Sequence, residues 1–256
     1  MYGKTEEGIS MSVYIQGKND KSFEINPVIT IDLHKSLFCN NLFLISYNFS
    51  FNKRNPVQWF IKRFIDIFAS IAGIIALTPV IAGVIAAIKL DSNGPILFKQ
   101  KRIGLYGKEF NMYKFRSMST DAEEKLKELI GQNETNSGMF KITDDPRITQ
   151  VGKFLRRYSI DELPQLINVI RGEMSLVGPR PPIRRELPEY RNWHYLRFAA
   201  TPGITGVWQV SGRSEIKDFD DVVKMDYSYV KNWSIFLDIL LLFRTIPVVF
   251  TGKGAG

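Results

Sequence analysis

The longest apolar stretch of the chain covers residues 67–88 and contains no charged side chain. A stretch of about 20 apolar residues is long enough to enter or cross a lipid bilayer. Thr78 and Pro79 interrupt it near its centre. A proline inside a helix removes one backbone hydrogen bond and bends or breaks the helix. The pattern therefore predicts two apolar helical arms with a break between them.

Length and charge together indicate how these two arms are arranged. The arms, 65–77 and 80–90, would each extend about 15–20 Å at the helical rise, which is short of a ~30 Å hydrocarbon core. Positive flanks mark the cytoplasmic side of a membrane segment, and here both flanks are basic. We expect residues 56–92 to form a re-entrant helix–break–helix that enters and leaves on the cytoplasmic face. A kinked single-pass helix is the alternative. The basic flanking residues are Lys62, Arg63, Lys89, Lys99, Lys101 and Arg102.

The pattern over residues 93–256 alternates between short strands and helices. Two short strands surround a glycine turn, and three helices are marked by capping residues and apolar spacing. This order predicts an α/β (α+β) domain after the hairpin. The predicted elements are strands 95–100 and 109–115 around Gly104 and Gly107, a helix from Thr120 to Gly131 with Glu123 in its capping box, and helices over 159–172 and 216–231.

The two ends of the chain follow a different pattern. Residues 1–55 are polar up to Glu24 and then mixed, which suggests one or two short strands in an N-terminal extension left from a larger upstream domain. Near the other end, IFLDILLLFRTIPVVF is apolar but contains Asp238, Arg244 and Pro247. This segment is too short and too charged to span a bilayer. It predicts an amphipathic helix at a membrane surface, with a buried core helix as the alternative.

Composition narrows the chemistry that the chain can perform. Hydrophobic residues make up 45% and charged residues 23%, as in globular proteins, and the formal net charge of +8 favours an anionic partner. Cys39 is the only cysteine and there are two histidines, which excludes an intramolecular disulfide and a Cys/His zinc site. Any catalysis must rest on carboxylates, Lys, Arg and a hard metal ion. Nucleic acid is not expected as a partner, because no recognition helix or base-stacking aromatic block is present.

The segment 156–182 concentrates acids and arginines. Ser159 and Glu162 have the spacing of a capping box, which would place Asp161 and Glu162 in the first turn of a helix. Helix N-termini stabilise carboxylates and bind phosphate oxygens, and Mg²⁺ takes one or two carboxylates plus substrate phosphates. With Arg156 before it and Arg180 after it, the acid pair suits a phosphoryl group and a divalent cation. An ordinary cap with solvated arginines is the alternative.

Several motifs closely resemble those of the bacterial sugar transferase family, the monotopic phosphoglycosyl transferases. The resemblance covers residues 57–252 and implies transfer of a sugar 1-phosphate from a UDP-sugar to undecaprenyl phosphate, with release of UMP. It also implies Mg²⁺ as cofactor, a position on the cytoplasmic face of the bacterial inner membrane, and a re-entrant helix broken at a Ser-Pro or similar pair, here Thr78-Pro79. The motifs are KRFIDI, PILFKQKRIG, YKFRSM, SIDELPQLINVIRGEMSLVGPRP and TPGITGVWQVSGR.

The same resemblance assigns roles to individual residues. Asp161 matches the nucleophile that forms an aspartyl phosphosugar, and Glu162 matches its partner, which helps to place Mg²⁺ and deprotonates the lipid phosphate. Asp226 and Asp238 match acidic positions, for which pairing with Arg or Lys and direct chemistry remain open. The expected phosphate-binding residues are Lys114, Arg156 and Arg180, and Arg213 is a candidate contact to the nucleotide or sugar.

The resemblance also favours a substrate class. GVWQVSGR and the loop ETNSGMFKITDDPRIT are more similar to the enzymes that transfer hexose 1-phosphate, galactose or glucose, than to those for small N-acetylated sugars. Residues 28–45 resemble the end of the Rossmann-like domain that precedes the catalytic unit in larger members. A catalytically silent scaffold that binds nucleotide sugars is the alternative function. The sequence leaves a homodimer open.

Overall fold

A pair of helices joined at a proline opens the structure. Helix α1 spans Pro56–Ala76 and helix α2 spans Thr78–Asp91. Helix α1 begins at Pro56 because the side-chain oxygen of Asn55 accepts a hydrogen bond from the Val57 amide at 3.0 Å. The computed structural model describes residues 55–129, 145–212, 216 and 218–252. Apart from Asn55, the predicted N-terminal extension lies outside these residues.

The break between the helices falls at Leu77, one residue before the predicted Thr78-Pro79 pair, which forms the first turn of α2. The two helices are bent by 63°. Pro79 has no N–H to donate, and the Thr78 hydroxyl donates to the Ile74 carbonyl at 2.9 Å, so a side chain supplies a bond next to the interruption. Among the described residues no single helix is long and apolar enough to cross a membrane, whereas this bent pair meets the length and composition requirements together.

The first arm is longer than predicted. The apolar pattern put its start at residue 65, but α1 contains 21 residues and begins at Pro56, which gives a length of about 31 Å. The prediction was based only on the stretch without charged residues. The additional turns contain Lys62 and Arg63, which bond to residues that follow the hairpin. The opposite side of α1 exposes an apolar row with helical spacing: Val57, Phe60, Phe64, Phe68, Ile71 and Ile75.

Polar side chains of α1 form a hairpin junction with the rest of the chain. Lys62 Nζ donates to Asp238 Oδ2 at 2.6 Å, and Asp66 Oδ1 accepts from the Leu176 amide at 3.1 Å. Asp66 and Asp238 are buried, so their charges require these partners. The other hydrogen bonds of the hairpin junction are Arg63 to the Ile170 carbonyl, Lys62 to the Val177 carbonyl, and Tyr229 and Trp233 to Asp238.

The far end of α2 is attached by packing and by one arginine. Val84 and Ile88 of α2 pack against Phe115. Arg116 donates to the carbonyls of Ile88 at 3.3 Å and Ser92 at 2.6 Å. A cation at the C-terminus of a helix satisfies carbonyls that lack helical partners and opposes the negative end of the helix dipole.

Two small sheets follow the hairpin. Strands β1, Leu97–Ile103, and β2, Glu109–Phe115, pair antiparallel, with Leu97 opposite Phe115 and Ile103 opposite Glu109. Both strands were predicted, and β1 extends to Ile103 rather than ending at residue 100. A second, parallel pair was not predicted, because strands of three residues carry little pattern. It consists of β3, Ser175–Val177, and β4, Gly203–Thr205.

Six further helices complete the described mixture of helices and sheets, as an α+β fold requires. The helices predicted over 120–131 and 216–231 are present as α3 and α7. The side chain of Glu123 and residue Gly131 lie outside the described part of the chain. The helices are α3 Ala122–Leu129, α4 Gln150–Arg157, α5 Gln165–Arg171, α6 Val207–Val210, α7 Phe219–Asn232 and α8 Ile235–Thr251.

Helix α8 combines both interpretations of the apolar C-terminal segment. Leu241 is buried in a cluster with Val177 and Tyr229, and Asp238 lies in the hairpin junction. The helix also exposes an apolar row at helical spacing, so it is amphipathic with one face in the core. The exposed residues are Phe236, Ile239, Phe243, Ile246 and Phe250.

We predict that Asp238→Asn destabilises the fold, because the half-buried Lys62 ammonium loses its carboxylate partner at 2.6 Å and keeps only the Asp66 carboxylate at 4.0 Å. The free energy of unfolding should fall by about 3 kcal/mol, as for other broken buried ion pairs. Asp221→Asn is the matched control, since its pair with Lys224 is exposed, and its cost should stay below about 1 kcal/mol. Denaturant unfolding of both variants measures the difference, and equal losses would contradict a stabilising role for the hairpin junction.

Candidate active site

The two predicted acids lie on a tight turn rather than at the start of an α-helix. Helix α4 ends at Arg157, and Ser159 has a left-handed backbone with a φ of 55°. A single turn of 3₁₀ helix, Ile160–Glu162, follows and carries both acids, and α5 begins only after Pro164. The predicted helix over 159–172 is therefore wrong in its first part.

The predicted capping box is also wrong, because the Ser159 side chain makes no capping hydrogen bond. A serine in the left-handed region does not have the extended backbone of an ordinary N-cap. Left-handed backbone in a residue other than glycine costs about 1–2 kcal/mol and is concentrated at functional sites. The end of the predicted helix is correct, since Gly172 ends α5 with a φ of 84°.

Lys114 joins the two acids. This lysine lies on β2, and its Nζ is 2.7 Å from Glu162 Oε1 and 3.6 Å from Asp161 Oδ2. The Asp161 side chain is 7% exposed, against 31% for Glu162 and 23% for Lys114. One carboxylate is thus nearly enclosed, while its neighbour and the shared ammonium remain open to solvent.

Burial controls the ionisation of Asp161. It raises the pKa of the Asp161 carboxyl above its ordinary value of 3.8, the Lys114 ammonium opposes this rise, and Glu162 adds to it. A carboxylate that ionises in a poorly solvated place is a stronger nucleophile and base than a hydrated one, and perturbed carboxyls of this kind are typical of active sites.

Arg156, predicted to bind phosphate, lies within electrostatic reach of Asp161 and lowers its pKa. Its Nε donates to the Ser117 hydroxyl at 3.0 Å. Ser117 follows Lys114 by three residues, so the end of β2 orients both cations next to Asp161.

Arg180, also predicted to bind phosphate, is paired with Glu186. Its Nη1 is 3.1 Å from Glu186 Oε2 and its Nη2 is 3.3 Å from Glu186 Oε1. A second arginine, Arg102, is close enough to Arg180 and Glu162 to respond to both charges. Burial and the nearby Arg180 guanidinium lower the pKa of Arg102 to about 9. Positive charge therefore accumulates beside Glu162.

The structure assigns both remaining acids to ion pairs. Asp226 pairs with Arg197, and both side chains are 1% exposed. Asp238 belongs to the hairpin junction, where it binds Lys62. Of the two possibilities left open for these acids, the structure therefore favours pairing with a basic residue. Arg213 lies outside the described residues, and the preceding Ser211 donates its amide to the Trp208 carbonyl at the end of α6.

Several residues of this region were not found from the sequence. Arg102 had a weak signal, since it shares one side of β1 with Gln100, whose side-chain oxygen accepts from Arg102 at 2.6 Å. Arg197 had none, because the segment NWHYLRFA has no clear helical or strand period and the burial of its arginine depends on distant residues.

The acid pair fits a magnesium ion only if the substrate supplies further ligands. Among the described residues no three His, Cys, Asp or Glu side chains converge on one point. Asp161 and Glu162 face the same ammonium group, so two carboxylates and the oxygens of a bound phosphate would form a suitable oxygen ligand set. The donor chemistry is compatible with Mg²⁺.

We predict that Asp161→Asn stabilises the folded protein. Because the folded-state pKa is raised, the folded protein binds the Asp161 proton more tightly than the unfolded chain does. This carboxyl therefore lowers stability as pH rises through the raised pKa. At neutral pH the neutral amide should increase the free energy of unfolding by about 0.5–2 kcal/mol, the usual range for relieving such a site.

Asp145→Asn is the matched control. Burial alone would raise the pKa of Asp145, but hydrogen bonds from Arg147 outweigh it and hold the pKa below its ordinary range. This substitution should lower stability by about 3 kcal/mol. Denaturant unfolding at pH 7 compares the two variants. If both substitutions lower the free energy of unfolding, the claim that the buried Asp161 charge destabilises the fold is contradicted.

Comparison with known proteins identifies the family of this chain. The sequence model of the bacterial sugar transferase family matches residues 57–252 of this chain. The chain is 46% identical over 212 residues to the galactosyl transferase CpsE of Streptococcus agalactiae, covering 83% of this chain and 46% of CpsE. It is 41% identical over 238 residues to the undecaprenyl-phosphate galactose phosphotransferase of Salmonella typhimurium, covering 91% and 49%.

A shorter relative is covered almost completely. The exopolysaccharide production protein ExoY of Sinorhizobium fredii is 40% identical over 204 residues, covering 78% of this chain and 90% of ExoY. The chain thus spans about half the length of the first two relatives and nearly all of the third. The matched region contains the hairpin, the acid pair and the Lys114 strand, and the chain belongs to the bacterial sugar transferase family.

Proposed function

We propose that the protein transfers a hexose 1-phosphate from a UDP-sugar to undecaprenyl phosphate and releases UMP, through a covalent intermediate on Asp161. The observation that carries this proposal is the Lys114 ammonium, which lies between a buried and a half-exposed carboxylate, 3.6 Å and 2.7 Å from their oxygens. Membership of the family and the activities named for the relatives support the substrate classes.

In the first step Asp161 acts as the nucleophile. A carboxylate oxygen of Asp161 attacks the β-phosphorus of the UDP-sugar, and the bond from that phosphorus to the bridging oxygen breaks. UMP leaves with the bonding electron pair, and the sugar phosphate stays on Asp161 as an acyl phosphate. Lys114 and Arg156 offset negative charge that develops on the phosphoryl oxygens. Asp161 attacks as the carboxylate, so this step needs no general base.

In the second step the lipid phosphate takes the sugar phosphate. An oxygen of undecaprenyl phosphate attacks the same phosphorus, the bond to Asp161 breaks, and the carboxylate is regenerated. Glu162 is exposed enough to accept a proton from the incoming phosphate, and its bond to Lys114 keeps it next to Asp161. Mg²⁺, held by Asp161, Glu162 and substrate phosphates, would neutralise phosphoryl charge.

We propose a monotopic position at the cytoplasmic face of the bacterial inner membrane. The apolar rows of α1 and α8 are exposed, and one interaction, Lys62 with Asp238, joins these two helices directly. An amphipathic helix with such a row binds at the bilayer interface. The 63° bend between α1 and α2 is compatible with a hairpin that enters and leaves on one face. This position would bring Asp161 to the level of a lipid phosphate.

UMP release tests the reaction. Purified protein is incubated with Mg²⁺, undecaprenyl phosphate and separate UDP-sugars, including UDP-galactose, UDP-glucose and UDP-N-acetylgalactosamine. With undecaprenyl phosphate present, we expect a hexose donor to give many equivalents of UMP per protein. Without it, UMP release should stop at one equivalent. Asp161→Asn should reduce the rate of UMP release at least about a thousandfold, as loss of a nucleophile does. Glu162→Gln should still form some of the covalent intermediate and release the matching amount of UMP.

Other products would contradict the proposal in distinct ways. UDP in place of UMP would indicate an ordinary glycosyl transfer. No product from any donor, with UDP-sugar binding intact, would indicate the silent scaffold. UMP from the N-acetylated donor alone would keep the reaction and overturn the hexose assignment.

Cysteine labelling tests the membrane arrangement. Cys39→Ser removes the only natural thiol, and single cysteines are then placed at Asn55 and Lys101, before and after the hairpin. In inverted vesicles a membrane-impermeant maleimide should label both sites, and in right-side-out vesicles neither. Labelling of Asn55→Cys from the periplasmic side would show a single-pass helix instead.

A further inference from the structure

The segment Gly178–Pro182 forms a loop in which four consecutive carbonyls are bonded to its surroundings. Its sequence is GPRPP, so three of five residues have no N–H with which to build a turn of their own. The four carbonyls from Pro179 to Pro182 each accept a hydrogen bond from outside the loop. The donors are the Gly203 amide to Pro179 at 3.0 Å, Arg197 to Arg180 at 3.0 Å, Arg102 to Pro181 at 2.9 Å, and the Ile103 amide to Pro182 at 2.9 Å.

Arg197 is the most enclosed of these donors. Its side chain is 1% exposed, although an arginine is rarely buried without a specific partner. Its Nη2 bonds both the Arg180 carbonyl and Asp226 of α7, and its Nη1 donates to the Tyr190 hydroxyl at 2.9 Å. The guanidinium therefore joins three separate parts of the chain.

Such an arrangement is costly and is not needed to fill space. A buried ion pair contributes little net stability compared with apolar residues of similar volume, but it orients its partners strictly. The group it orients is the backbone of Arg180. The Arg180 side chain leaves the loop toward Glu186 and keeps 24% of its surface exposed, so it is available to a ligand while its backbone is not free to move.

We propose that Arg197, held by Asp226, is a positioning residue that fixes Arg180 to bind the diphosphate of the donor nucleotide. This inference rests on the proposed function. Arg180 and the nearby Arg102 are two cations whose mutual repulsion an anion relieves, and a rigid guanidinium binds phosphate oxygens with less loss of entropy than a mobile one. Asp226 then acts on the donor only through Arg197 and Arg180.

The test measures KM for the UDP-sugar and KM for undecaprenyl phosphate separately in three variants. Arg197→Lys keeps the charge but cannot reach Asp226, Tyr190 and the Arg180 carbonyl together, and Asp226→Asn keeps the shape but removes the counter-charge. We expect each to raise KM for the UDP-sugar about tenfold or more, with KM for undecaprenyl phosphate unchanged. The dissociation constant of UDP, measured by calorimetry, should rise in parallel. Tyr190→Phe removes a single hydrogen bond and should give a smaller shift in the same direction.

A double-mutant cycle separates positioning from general support of the fold. In an Arg180→Ala background, Arg197→Lys should cause no further loss of donor affinity, because the group it positions is absent. Additive losses, or equal changes in both KM values, would overturn the proposal. Asp221→Asn, on the same helix as Asp226 but exposed, is the control and should leave both KM values unchanged.

Two results distinguish this inference from the proposed function. A wild-type protein that releases no UMP contradicts the proposed function and, with it, the role given to Arg180. Normal UMP release by the wild type, together with additive losses of donor affinity in the cycle, contradicts only the positioning role of Arg197. Should Arg197→Lys and Asp226→Asn fail to fold, the same cycle is run with Tyr190→Phe in the wild-type and Arg180→Ala backgrounds. If Tyr190→Phe weakens donor affinity equally in both, the proposal is overturned.

Discussion

The burial of the Asp161 carboxylate next to the Lys114 ammonium is the constraint on which the rest of the site depends. A carboxylate deprived of water is costly, and a single lysine offsets part of that cost while also binding Glu162. The strand that supplies Lys114 continues into residues with separate tasks. They are Phe115 in the core against α2, Arg116 at the end of α2, and Ser117 on Arg156. One short segment therefore connects the hairpin to the acid pair.

Two other charge clusters set the positions of larger parts. The hairpin junction, centred on Lys62 of α1 and Asp238 of α8, joins the two helices that expose apolar rows. The Arg197–Asp226 pair holds the proline-rich loop. Neither cluster is expected to add much net stability, since desolvation offsets much of the attraction. Their value lies in orientation, because the proposed function requires a buried nucleophile to meet a lipid phosphate at a membrane.

Local rules predicted part of this structure and tertiary contacts decided the rest. The break before Pro79 and the β1–β2 pair follow from proline chemistry and from strand–turn–strand spacing, and both are confirmed. The grouping of Lys114 with Asp161 and Glu162 came from family resemblance, since nothing local brings residues 114 and 162 together. The capping box failed because its spacing also suits a 3₁₀ turn, which Pro164 and the left-handed Ser159 favour here. The basic partners of Asp226 and Asp238 lie 29 and 176 residues away, beyond any local pattern.

The most direct test of the central claim is to isolate the covalent intermediate. The protein is incubated with Mg²⁺ and the active UDP-sugar in the absence of undecaprenyl phosphate, quenched, and analysed by intact mass and peptide mapping. We expect a mass increase of one sugar phosphate on the peptide that contains Asp161, formed with one equivalent of UMP and removed when the lipid phosphate is added. An unmodified protein that releases UMP only when both substrates are present would show direct transfer and contradict the role of Asp161 as nucleophile.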